Sequence, residues 1–100
     1  MTSRHLEQLA NALIKGGWRT RTDLGRIPAV VRVWHPDVPL IGDNVSVHPG
    51  PDGQPWFHSS TGVPVAPCND VRRAASEVAA LLRPYVDIAR AAEQPTRWPP

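Results

Sequence analysis

The sequence predicts an α+β fold of two layers, α-β-β-β-α in order, with an antiparallel meander sheet and the N- and C-terminal helices on one face. Three observations carry this expectation. Apolar residues recur with helical period at both ends of the chain, they alternate with polar ones in the middle, and short turn-forming stretches separate the middle segments. Helices with one apolar stripe and a sheet with one apolar face bury both by stacking as two layers.

The first helix opens at Thr2-Ser3, either of which caps a helix by accepting an orphan backbone N–H. Leu6, Leu9, Ala10, Leu13 and Ile14 fall on one stripe, with Arg4, Glu7, Gln8, Asn11 and Lys15 elsewhere. Gly16-Gly17 ends the helix, because glycine enters the left-handed region without steric cost. Trp18 follows directly, placed to fold back over the helix end and close the core, although "GWRTRT" also reads as a short strand.

Three segments of β character come next. "AVVRVWH", residues 29 to 35, is rich in β-branched and aromatic side chains and lies between Pro28 and Pro36. "DNVSVHP", 43 to 49, alternates Val45 and Val47 with Ser46 and His48, as a strand with one dry face does. "PWFHSS", 55 to 60, pairs with it as a hairpin through Asp52-Gly53, a strong turn signal. A second turn at Thr61-Gly62 returns "VPVAP" as a brief edge strand, where Pro64 is tolerated because an edge need not donate every N–H.

Asn69-Asp70 caps the last helix and sets negative charge at the positive end of its dipole. Val71, Ala74, Ala75, Val78, Leu81, Leu82, Tyr85, Val86 and Ala89 trace its apolar stripe to about Glu93. Pro84 removes a backbone donor inside this run, so the spacing predicts a kink or a fresh helix there. The expected core is Leu9, Leu13, Trp18, Val31, Val33, Val45, Val47, Val78, Leu81 and Leu82.

One hundred residues make one domain, 1 to 94, with a Pro-rich tail at 95 to 100, and leave no room for a separate cofactor domain. The net charge is only +2, too small to demand a nucleic-acid partner. Lys15 is the only lysine among eleven basic residues, an arginine bias that resembles a high-GC genome. One cysteine, Cys68, excludes an internal disulfide and suits a reducing compartment. No run approaches the roughly 20 apolar residues that span a bilayer, so the expectation is a cytoplasmic protein with no membrane partner and no cofactor.

The stretch "PWFHSSTGVPVAPCND", 55 to 70, raises the question of an enzyme. In a strand His58 and Ser59 point to opposite faces, and Ser60 lies about 7 Å along from His58. No nucleophile-elbow motif is present. Cys68 at a helix start could have a lowered thiol pKa. His48 and His58, on paired strands, could approach with His35 as a third metal ligand, but no HxH, HExxH or CxxC spacing supports a metal. "WRTRTDLGR" offers Trp18, Arg19, Arg21 and Arg26 as a stacking and cationic mixture for single-stranded nucleic acid.

"HLEQLANALIKGGWRTR", "PAVVRVWHPDVP" and "VSVHPGPDGQPWFHSSTGVPVAPCNDVRRAASEVAALLR" together resemble a group of small uncharacterised actinobacterial proteins over residues 5 to 83. The shared features are a leucine-rich helix ending in Gly-Trp, an Arg-Val strand followed by proline, a tryptophan-containing hairpin, and an Asp-Val that opens the last helix. The element order also resembles the type III secretion chaperone-like fold, whose members bind peptide segments or enzymes as dimers; that resemblance implies a binding role and no catalytic residues.

The reading favoured by the sequence is a non-catalytic protein- or peptide-binding accessory module, a chaperone-like adaptor serving an enzyme or regulator encoded nearby. Its expected binding residues are Trp18, Arg19, Arg21, Arg32, Trp34, Trp56 and His58. A homodimer is expected, because a few-stranded meander leaves an edge and part of a face uncovered. The alternatives are a small nucleic-acid-binding regulator and a metal- or Cys-dependent enzyme carried by His35, His48, His58 and Cys68.

Overall fold

The computed structural model describes residues 2–93, so the domain boundary at 94 and the tail at 95–100 lie outside the described residues. The elements are α1 (Thr2–Lys15), β1 (Arg19–Asp23), β2 (Val30–His35), β3 (Val38–Pro49), β4 (Pro55–His58), β5 (Pro64–Pro67) and α2 (Val71–Glu93). The strands form one antiparallel sheet in the order β1-β2-β3-β4-β5, each beside its neighbour in sequence. The α+β class and the meander are as expected. The strand number is five rather than three or four.

The first additional strand is "RTRTD". Thr20 and Thr22 sit opposite Val33 and Val31 on the helix side, while Arg19, Arg21 and Asp23 point the other way, so a polar sequence still satisfies period 2. The second difference is the start of β3, which opens at Val38 and not at Asp43. Val38 pairs with His35 and Gly42 with Trp34, so Pro39, Leu40 and Ile41 bulge out of the β2 ladder. A proline is tolerated there because the bulge asks for no ladder N–H.

The end of α1 and the start of α2 follow local chemistry. The Trp18 N–H donates to the Leu13 carbonyl and the Gly17 N–H to that of Ile14, each at 3.0 Å, with Gly17 at φ 93°. That pair of bonds is the Schellman motif, whose apolar contact joins the residues at the Leu13 and Trp18 positions; both are buried. At α2, the Arg73 N–H donates to Asp70 Oδ1 at 3.2 Å, the expected N-cap. The helix runs unbroken through Pro84. The carbonyl that Pro84 cannot satisfy belongs to Ala80, an exposed residue, so it is not an acceptor lost inside the core.

The helices pack on one face of the sheet, over Val31, Val33, Val45, Phe57 and Ala66, with Leu6, Leu9, Leu13, Trp18, Ala74, Val78, Leu82 and Val86 closing the core. Each valine, leucine or phenylalanine among them contributes about 1.5–3 kcal/mol by leaving water. Two expected members fall short. Val47 is only partly buried, and Leu81 is 49% exposed. The buried line of α2 runs through 74, 78, 82 and 86, and one sheet plus one partner helix is too narrow to cover the flanking line of Leu81, Tyr85 and Ile88. Arg90 near the end of α2 donates to Asp37 in the β2–β3 turn, and that bond holds the Asp37 carboxyl below its usual range.

Candidate functional site

Strand pairing fixes what the other face of the sheet carries. Residues directly opposite share a face, so Arg19, Trp34 and Gly42 form one row and Arg21, Arg32 and Asn44 the next. Asp23 pairs with Val30 in a third, which alternation along β3 continues on the same face as the pair Ser46 and His58, and His48 and Trp56 form a fourth. The third row is a floor of shorter side chains between two rows of longer ones, and Val30, Ser46 and His58 are buried.

Arg19, Arg21 and Arg32 are exposed and form no ion pair among the described residues, where the acidic partner in each ion pair is Asp37. Arg21 stands directly opposite Arg32. Trp34 is half-buried beside Arg19. Its other neighbour must be glycine, since a Cβ at Gly42 would lie 2.4 Å from the Val33 carbonyl oxygen and 3.1 Å from Trp34 Cβ.

Four of the seven expected binding residues, Arg19, Arg21, Arg32 and Trp34, therefore meet on one accessible surface. The other three are differently engaged. Trp18 belongs to the core, with its ring edge-on to His35 at 5.4 Å and the Arg83 guanidinium over it at 5.4 Å. Trp56 donates from Nε1 to Asp52 Oδ1 at 3.0 Å, lies under the Arg73 guanidinium at 5.8 Å, and rests on Gly50. It locks the β3–β4 hairpin. His58 is on the floor, its Nδ1 donating to the Trp56 carbonyl at 3.2 Å, because a carbonyl only accepts.

The histidines do not converge. His48 and His58 meet edge-to-face at 5.4 Å, whereas His35 is buried on the helix side and accepts the Asp37 N–H at Nδ1, 3.1 Å away. Among the described residues no group of three metal-ligating side chains is assembled. Ser59 serves a turn: its hydroxyl bonds that of Thr61 at 2.9 Å and accepts the Val63 N–H at 3.3 Å. Cys68 is buried, and burial pushes its thiol up to about 11, away from the thiolate.

Sequence reasoning missed two grooves. One of about 1070 Å³ lies between α1 and the start of α2, with His5, Lys15, Cys68 and Asp70 among its lining residues. The other, of about 410 Å³, is apolar and runs beside α2 between Leu40, Val63, Leu81 and Tyr85. The helical period places Leu81 and Tyr85 on the apolar stripe of α2; which side of the stripe the sheet leaves bare depends on tertiary packing. Among the described residues no helix is long and apolar enough to cross a membrane.

No protein-family model, curated protein or solved structure matches the chain. The chemistry of the face thus rests on its own residues.

Proposed function

We propose that the protein is a non-catalytic protein- or peptide-binding accessory module, an adaptor for an enzyme or regulator encoded nearby, working in the cytoplasm through the helix-free face of its sheet. The observation that supports this is the cluster of Arg19, Arg21 and Arg32 without acidic partners among the described residues, with Arg21 opposite Arg32. Like charges directly opposite on neighbouring strands destabilise a sheet. An anionic ligand turns that cost into binding energy, and local conflict of this kind is typical of recognition surfaces.

A protein client fits better than single-stranded nucleic acid. Strands of nucleic acid are gripped by successive aromatic platforms, and on this face Trp34 is accessible while Trp56 is committed to Asp52 and Arg73. A second copy of the chain is the other expected partner, for which the groove of Leu40, Val63, Leu81 and Tyr85 supplies apolar area. Catalysis is disfavoured because Ser59, His58 and Cys68 are engaged or buried where they stand.

Calorimetric titration with a glutamate-rich peptide, a neutral peptide and a single-stranded oligonucleotide tests the reading. The expected result is salt-sensitive binding of the acidic peptide that Arg32→Gln weakens. Tighter binding of the oligonucleotide than of the acidic peptide overturns it.

A further inference from the structure

Strand β1 ends the sheet, and among the described residues no backbone bond reaches its outer edge. Its side chains alternate: Arg19, Arg21 and Asp23 on the open face, Thr20 and Thr22 on the helix side. An open edge is a template for another strand, and flanking cations guard it against uncharged or like-charged ones. Opposite the two arginines, carboxylates are welcomed.

We propose that β1 accepts an extended acidic segment of a client protein by strand addition, with carboxylates at alternate positions opposite Arg19 and Arg21. The idea rests on the binding reading above and deepens it by naming the client's chemistry. Residues two apart on the added strand lie about 7 Å apart on one face, the pitch at which β1 presents its arginines. Arg32, opposite Arg21 on β2, adds a third cation one strand inward. Asp23 at the far end of β1 repels acid and favours a basic residue, so it sets register and direction. An antiparallel partner then reads Lys-x-Glu-x-Glu from its N-terminus. A second copy of the chain is the poorer occupant, since its own β1, Arg-Thr-Arg-Thr-Asp, brings one carboxylate for two arginines. Main-chain bonds supply affinity in this mode and alternate side chains supply specificity.

The test uses fluorescence anisotropy of a labelled peptide carrying Lys-Thr-Glu-Thr-Glu, with three comparisons against the full chain. One peptide has the same composition but adjacent glutamates, one has the matched sequence with alternate backbone amides methylated, and the third probe is a single-stranded oligonucleotide. The matched peptide is expected to bind, both altered peptides to bind about tenfold more weakly or worse, and β1 amides to exchange more slowly in its presence. Equal binding of the methylated peptide overturns strand addition while leaving an acidic client on the face. Binding of the oligonucleotide with no peptide bound overturns both readings.

Discussion

Arg21 and Arg32 face each other across the β1–β2 ladder, both exposed, with no acidic partner among the described residues. Replacing one by an acid makes a cross-strand ion pair where there was repulsion. Arg21→Glu is therefore expected to stabilise the free protein by roughly 0.2–1 kcal/mol, seen as a higher urea midpoint at low salt, while abolishing binding of an acidic peptide. A variant that loses stability and affinity together would make Arg21 a structural residue and take the face out of the functional reading.

Trp56 rests so closely on Gly50 that a Cβ there would meet its Cδ1 at 2.1 Å and Cγ at 2.3 Å. The ring cannot simply swing aside, because Asp52 holds its Nε1 and Arg73 covers its face. Gly50→Ala is expected to cost about 1–3 kcal/mol, the usual range for forced overpacking, and to shift tryptophan emission to the red. Unchanged emission and stability would mean that the indole is not seated on the hairpin in solution.

The Cys68 thiol has its pKa raised from 9.0 to about 11 by burial. Its folded pKa exceeds its unfolded one, so the native state holds the proton over a range where the unfolded chain has released it. Stability from this source is complete below about pH 9 and is lost as pH rises toward 11. Unfolding free energy should fall over that window, more steeply in the wild type than in Cys68→Ala, and iodoacetamide should label the native thiol slowly at pH 8 and rapidly in denaturant. Rapid native labelling at pH 8 would revive the reactive-cysteine alternative.

What could be read from the residues was whatever local chemistry decides. Gly16-Gly17-Trp18 specified a helix end, Asp70 a helix start and Asp52-Gly53 a hairpin, because each satisfies backbone groups within a few residues. The sequence leaves β1 ambiguous because Arg-Thr-Arg-Thr-Asp has no apolar residue; its inner face is made of threonines that only the ladder with Val31 and Val33 explains. The bulge at Pro39 depends on tertiary pairing in the same way. Within the candidate site, the arginines and Trp34 were visible as residue types, but their meeting on one face follows from register. Among the expected binding residues, the structure commits Trp18 to the core, as its place after Gly16-Gly17 predicts, and Trp56 to the hairpin.

Leu81 and Leu82 are consecutive on α2, yet one is 49% exposed and the other 7%. Leu82 lies on the line that meets the sheet, so Leu82→Ala removes side-chain volume from a packed core and should cost about 2–5 kcal/mol. Leu81 borders the groove with Leu40, Val63 and Tyr85, and in dilute protein Leu81→Ala should stay within about 0.5 kcal/mol, as surface changes do. Urea midpoints at constant m-value read the difference directly. Concentration separates the two roles further, because a homodimer that covers the groove raises the wild-type midpoint as protein is added. Leu81→Ala should then remove that dependence and leave the dilute midpoint in place, with light scattering reporting the shift from dimer to monomer. A large cost of Leu81→Ala at every dilution would place this residue inside the monomer's core, and the groove beside α2 would not exist in solution.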